Sequence, residues 1–274
     1  MKNKKTKRPA SDHAPKSKGP RAKQRSRGGQ GADQLALYGV HAVRAALANP
    51  ARRKKALFVS ENAAKRLNAD LLQDGDIPVH QCAPRELDAM VPRDAVHQGI
   101  VLQCDPLEVA DASELFHLVD EKLILVLDQI TDPHNVGAIM RSAVAFGAGA
   151  VIVTHRNSAT ETGVLAKSAS GAMDMVGLYE VRHLSKALTE LERMRFAVVG
   201  LDSAGPQVLE DTVQSFSNEK VALVLGAEGK GLRQQTRESC THLARLDMAG
   251  PIKSLNVSNA AALSLYVVSR AVNR

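Results

Sequence analysis

A chain of 274 residues and 29.3 kDa with 44% hydrophobic residues can build a sizeable core, and at this length two ordinary domains are expected. No apolar run approaches the roughly 20 residues needed to cross a bilayer, and residues 1–34 contain no Leu, Ile, Val or Phe, so neither a secretory leader nor a transit peptide is expected and a cytosolic protein is. The net charge of +7 is local: residues 1–30 hold 11 of the 36 Lys and Arg and one of the 29 acids, a balance of +10, which leaves the remainder at −3.

That first segment, "KNKKTKRPASDHAPKSKGPRAKQRSRGG", has too little apolar surface to fold and is expected to be disordered through residue 34. As a solubilising tail it would need no partner. As an arm it would find polyphosphate by counterion release, and the lack of positive excess elsewhere favours the arm. Aromatics are 3% with no Trp, which argues against base stacking on an aromatic platform as the main contact.

The next stretch, "ALYGVHAVRAALAN", reads as a helix from about His41 with Val43, Ala46 and Leu47 on one face, followed by the strand "KALFVS". A helix "NAAKRLNADLLQDG", a short strand "IPVHQC", a helix "RELDAM" and a strand "HQGIVLQC" then close a small α/β domain over residues 35–104. Residues 105–121 read as a polar, proline-containing linker. Over 122–274 the strands "LILVLD", "AVIVT", "FAVVGLD" and "VALVLG" alternate with helical stretches, the pattern of a mostly parallel sheet covered on both faces. Cys82, Cys104 and Cys240 are odd in number and widely spaced, so they are expected to be reduced thiols with no metal.

Three stretches of the second domain bear on function. In "DPHNVGAIMRSA", Asp132 and Pro133 suit a helix start, and Ala138, Ile139 and Ala143 supply an inward apolar stripe. Asn135 and Arg141 have no such role. The six residues between them give about 600° of rotation, so they project roughly 120° apart and share a pocket only if other loops or a second subunit wrap the helix.

"GAEGKGL" follows a strand, but it lacks the spacing and the hydroxyl of a phosphate-binding loop, and Glu228 stands where phosphate charge would sit; a plain glycine turn explains it equally well. The turn "QITDPHNVG" likewise lacks a dinucleotide fingerprint. In "GPIKSLNVSNAAALSLY", Ser254, Asn256, Ser258 and Asn259 outnumber what one helix cap requires, and the alanines that follow suit either core packing or a subunit contact.

Taken in order, "DPHNVGAIMRSA", "LVLGAEGKGL" and "SLNVSNAAALSLY" resemble the three motifs of the SpoU/TrmH family of RNA ribose 2′-O-methyltransferases in the SPOUT superfamily, over roughly residues 120–274. Residues 35–104, with "YGVHAVRAAL" and "HQGIVL", are similar to that family's substrate-binding domain. The nearest subgroup methylates a guanosine ribose of large-subunit rRNA; a tRNA enzyme would share every motif, and a non-catalytic RNA-binding relative is the competing class.

The resemblance implies a trefoil-knotted, parallel-sheet SPOUT methyltransferase domain preceded by a small α/β RNA-binding domain. It also implies an obligate homodimer, S-adenosylmethionine as cofactor and rRNA as partner, while the cysteine spacing and the lack of long apolar runs predict neither metal nor membrane. By motif position it makes Asn135, Arg141, Glu228, Ser254 and Asn256 the catalytic set, with Gly226, Leu246 and Leu255 at the cofactor. One departure is "LDM", where Asp247 replaces the family's usual proline and faces either the cofactor or water.

If the basic segment is an RNA-finding arm, deleting residues 1–30 weakens RNA binding and flattens its salt dependence while cofactor affinity stays intact. Titrations of RNA and of cofactor at low and moderate salt check this.

Overall fold

The computed structural model describes residues 35–66, 77–155, 161–216, 220–252 and 254–272. The basic segment and residues 67–75 of the expected second helix lie outside these.

The first domain comprises β1 (Leu35–Tyr38), α1 (Val40–Ala48), β2 (Lys54–Val59), α2 (Glu61–Arg66), β3 (Val79–Gln81), α3 (Pro84–Asp88) and β4 (Ile100–Cys104). Its sheet runs β1-β4-β2-β3, with β4 antiparallel to β1 and β2, and β3 parallel to β2. Residues 35–38, left unassigned by the helical pattern that follows them, form the strand β1.

The second domain continues with β5 (Ala110–Asp111), a 3-10 helix (Ala112–Asp120), β6 (Leu123–Asp128), α4 (Pro133–Ala145), β7 (Ala150–Thr154), α5 (Gly163–Ala169), a 3-10 turn (Ala172–Asp174) and β8 (Gly177–Val181). It is completed by α6 (Leu184–Arg193), β9 (Phe196–Leu201), β10 (Gln207–Val208), α7 (Leu209–Gln214), β11 (Lys220–Gly226), α8 (Gln234–Glu238), β12 (His242–Arg245) and α9 (Val257–Val272). The sheet order is β10-β12-β9-β11-β6-β7-β8-β5, and its neighbouring strands are parallel throughout the described residues. Residues 105–121 are built into this layer: β5 extends the sheet beside β8, and the 3-10 helix buries Leu115 and Leu118.

Both faces of the parallel sheet are covered, and β6 shows how. Because successive side chains of a strand alternate in direction, Leu123, Leu125 and Leu127 pack with Ile139 and Met140 of α4 and Leu265 of α9, while Ile124 and Val126 pack with Leu188 and Leu191 of α6. All six β6 residues are buried, which is why this strand reads as a continuous apolar run rather than an alternating one.

The two sheets share a core. Leu37, Val43 and Leu57 of the first domain belong to the same buried cluster as Leu165, Ala166 and Ala169 of α5. At Gly163 the approach is so close that a Cβ would lie 2.5 Å from the Ala36 carbonyl oxygen.

The contact is fixed by charge as well. Arg52, whose side chain is 0% exposed, donates from Nε and Nη2 to the two Asp174 oxygens at 2.9 and 3.0 Å and from Nη1 to Glu161 at 2.7 Å. Asn49 adds a bond to Asp174 at 3.0 Å, and Glu161 accepts from the Leu107 amide at 2.7 Å. Removing one partner from such a group strands buried charge, so Arg52→Ala is expected to cost about 3–5 kcal/mol of stability, measured by equilibrium denaturation.

Candidate active site

In a parallel sheet, helices leave from the carboxyl ends of the strands, and the loops there form the natural crevice. At the end of β6, Asp128 is 1% exposed and accepts from the backbone amide of Arg233 at 3.1 Å and from its Nε at 2.7 Å. This buried carboxylate draws the loop after β11 back over β6. The loop also closes on itself, with the Gly231 amide donating to the Ala227 carbonyl at 2.8 Å. Only glycine fits at position 226, where a Cβ would stand 2.1 Å from the Gly231 carbonyl carbon.

Between this loop, the end of β9 and the segment entering α9 lies a cavity of about 200 Å³. Gly226, Glu228, Leu246, Ser254 and Leu255 line it, so five of the eight residues singled out in sequence come to one place. Its floor is apolar, from Leu201, Leu225 and Val257, and its acidic groups are Asp202 and Glu228, with no Lys or Arg among the described lining residues. An anion is poorly served there. A ligand with an apolar body and a positive centre fits, and S-adenosylmethionine, with its adenosine and its sulfonium, has that form.

Beside the cavity the three motifs are joined by side chains. Asn256 Oδ1 accepts from the Ser258 amide at 2.9 Å and from its hydroxyl at 2.5 Å, which caps α9. That fixes the amide so that Asn256 Nδ2 donates to Asn135 Oδ1 at 3.1 Å, and Asn135 Nδ2 in turn faces Glu228 Oε2 at 3.4 Å. The direction of the chain is thereby set from the helix cap to the carboxylate. Asn135 is placed by the expected start of α4, where Asp132 caps the His134 amide at 3.0 Å and Pro133 takes the first helical position.

Arg141 does not join them. It lies farther along α4, exposed, with no hydrogen bond or ion pair among the described residues. The roughly 120° offset expected from sequence separates it from Asn135 within one chain. Asp247 is exposed and outside the cavity lining, whereas its neighbours Leu246 and Met248 line it, so in the lone chain its carboxylate stands outside the cavity wall.

Sequence reasoning passed over three residues. Asp128 carries one available signal, a carboxylate directly ending the apolar strand "LILVLD". Arg233, its partner, lies just after the glycine loop. Asp202 lines the cavity at the end of β9, held by Arg237 Nη1 at 3.0 Å. The remaining cysteines take no part: Cys104 and Cys240 are free thiols pushed up to about 12 by burial. No group of three or more His, Cys, Asp or Glu suited to a metal ion occurs among the described residues, and none of their helices is long and apolar enough to cross a membrane.

Comparison with known proteins agrees with this geometry. Residues 122–266 match the SpoU rRNA Methylase family, and residues 36–110 match the family described as RNA 2′-O ribose methyltransferase substrate binding. A Pseudomonas putida protein named 23S rRNA (guanosine-2′-O-)-methyltransferase RlmB is 41% identical over 241 residues, 85% of this chain and 95% of the relative. A Haemophilus ducreyi protein of the same name is 40% identical over 85% of this chain and 96% of its own length. Among solved structures, the SpoU methyltransferase AviRb from Streptomyces viridochromogenes, crystallised with AdoMet, shares the fold with a TM-score of 0.72 at 24% identity, over 87% of this chain and 90% of that one. The cavity at the strand ends, the three motifs meeting beside it and matches running through both domains lead to one conclusion: the chain belongs to the SpoU rRNA methylase family.

Proposed function

We propose that this protein transfers a methyl group from S-adenosylmethionine to the ribose 2′-OH of a guanosine in 23S rRNA, working in the cytoplasm as a homodimer. The observation that carries this reading is the meeting of Asn135, Glu228 and Asn256 at the rim of an acid-edged apolar cavity, in a chain similar over nearly their whole length to relatives named for that reaction. In this reading residues 35–104 bind the RNA and residues 122–274 carry out the transfer.

S-adenosylmethionine supplies an electrophilic methyl on a sulfonium, and the barrier that remains is one of alignment and of negative charge growing on the ribose oxygen. Gly226, Leu246 and Leu255 would hold the cofactor against the cavity wall that they line, with Gly226 keeping the turn closed on Gly231 where no Cβ would fit. Glu228, its direction set by Asn135 and Asn256, orients the ribose, and Ser254 shapes the wall between the two ligands.

Arg141 stabilises the developing oxyanion and grips the adjacent phosphate, which takes the hydroxyl proton. A guanidinium is effectively never neutral in a protein, so it serves as a clamp rather than as a base.

The exposure of Arg141 gains sense from a second copy. The helix α9 packs on α4 and presents Leu263 and Tyr266, 51% and 55% exposed and three residues apart, with Tyr266 edge-on to Phe146. In this reading, pairing through that face would bring a partner's loops towards α4, so that Asn135 and Arg141, separated in a lone chain, could serve one site. The C-terminal knot expected of the fold would hold the cavity loops in the same region.

Mapping 2′-O-methyl groups in 23S rRNA from cells lacking the protein tests the substrate: one guanosine should lose its methyl, and an unchanged map refutes the assignment. The assembly is tested by sedimentation, where the active species should have about twice the 29.3 kDa chain mass and Leu263→Asp should yield inactive monomers. The role of Arg141 is tested by Arg141→Lys, which keeps the charge but loses the planar fork. A clamp predicts a loss on the order of 2.7–4 kcal/mol of transition-state stabilisation with cofactor affinity near normal. Single-turnover methylation across pH decides, because a base would instead give substantial activity with the pH optimum moved towards that of lysine.

A further inference from the structure

The two stretches that mark the first domain in sequence, "YGVHAVRAAL" and "HQGIVL", are brought together by the pairing of β1 with β4, Tyr38 opposite Val101. Where they meet there is a second cavity of about 430 Å³, within the roughly 300–1,000 Å³ of small-ligand sites. Val40 and Arg44 of α1, Ser60 and Asn62 at the start of α2, and the turn His97–Gly99 form most of its wall. No Asp or Glu lines it, whereas Asp202 and Glu228 line the catalytic cavity and Asp111, Glu180 and Glu190 line a third beside α6. The third also carries Arg182 and Lys186, and what sets the present cavity apart is a cation, Arg44, with no carboxylate in the wall, which suits a phosphate-bearing ligand.

Its polar groups are set in advance. Gln98 is held in the left-handed region at φ 59°, which non-glycine residues rarely adopt and which tends to mark functional turns. Its Oε1 accepts from the Val40 amide and from Lys167 Nζ, both at 3.0 Å. Two donors on one oxygen settle which end of the amide is which, so Nε2 presents two hydrogens that have no acceptor among the described residues. His97 is fixed likewise, with Nδ1 accepting from the Gly99 amide at 3.0 Å and Nε2 facing Asp88 at 3.0 Å. Arg44 is exposed and has no ion pair or hydrogen bond among the described residues.

We propose that this cavity binds one unpaired nucleotide of the RNA substrate, with Gln98 Nε2 donating to an acceptor on the base edge and Arg44 holding the neighbouring phosphate. An unpaired nucleotide is the form that fits, because the base edges in the deep groove of an RNA helix are out of reach of side chains whereas a splayed base can enter a pocket. The match of residues 36–110 to a substrate-binding family points to RNA rather than a free metabolite. Lys167, which helps hold Gln98, belongs to α5, and α5 packs on the helix that carries Asn135 and Arg141. The nucleotide pocket is thus registered against the transfer site through one side chain.

The proposal rests on the RNA-methylation reading, and the test separates the two. Gln98→Glu keeps an oxygen for Val40 and Lys167 but removes both donor hydrogens. Gln207→Glu, at an exposed position on β10, adds the same charge elsewhere and serves as the control. Arg44→Ala removes the phosphate contact. Affinity of the full chain for a 23S rRNA fragment containing the target guanosine is measured by fluorescence anisotropy, and methyl incorporation is followed on the same fragment. Gln98→Glu and Arg44→Ala should each weaken RNA affinity and raise KM roughly tenfold, as for one lost hydrogen bond to a charged or base-specific partner, with kcat at saturating RNA near that of the parent. Gln207→Glu should change neither. Parental affinity in both pocket variants, or an equal loss in Gln207→Glu, overturns the pocket. Absence of methyl transfer by the parent chain, with the affinity differences intact, would overturn the enzymatic reading and leave the pocket standing.

Discussion

The arrangement depends on one buried cation. Arg52 comes from the first domain, and the groups that satisfy it, Asp174 and Glu161, come from the second, with the Asp105 carbonyl between. A guanidinium offers its donors in a rigid fork, and here that fork meets one carboxylate with two parallel bonds and another with a third, so the geometry fixes angle as well as distance. Undocking would leave two carboxylates, with side chains 2% and 10% exposed, without their cation. An interface built only from Leu37, Leu57 and Leu165 would tolerate sliding, because apolar burial is not directional. The ionic fork removes that freedom and holds the first domain's sheet and the cavity at the strand ends in one frame.

The same economy of means operates at the site. A second buried carboxylate, Asp128, fixes the loop after β11, and a helix cap, Asn256, fixes the orientation of two amides that end on Glu228. Each of these groups does a structural task that any fold could need, and together they fix where Glu228 stands at the cavity. The acid-free pocket of the first domain follows a parallel logic, with one side chain spanning both domains and setting the direction of an amide.

Legibility in the sequence followed the range of the interaction. The strands of the second sheet were readable because burial on both faces leaves continuous apolar runs, and the start of α4 was readable because Asp132 and Pro133 act on adjacent amides. Asn135, Arg141, Ser254 and Asn256 stand out by their excess over local need, whereas Gly226, Glu228, Leu246 and Leu255 come from the family resemblance; of these, Gly226, Glu228, Leu246, Ser254 and Leu255 line one cavity. What escaped was either short or distant. β1 has four residues and runs straight into a helix whose periodicity masked it, and β5 has two, too few for any alternation to register. The link between Arg52 and Asp174 spans 122 residues, and that between Asp128 and Arg233 spans 105, so neither leaves a mark in a local window. Asp247 shows the limit of motif comparison: a substituted position beside two cavity residues simply faces outward.

The bond between Asn256 and Asn135 bridges 121 residues, and α9, which supplies Asn256, packs against α4 and β11 rather than extending the sheet. A nascent chain that has grown as far as Arg245 therefore holds every strand of the parallel sheet and still lacks the group that orients Asn135. Such non-local closure is slow compared with the helices and turns that precede it. During synthesis, the run of paired amides from Asn256 through Asn135 to Glu228 and the cover that Leu265 gives β6 are both completed only when α9 docks.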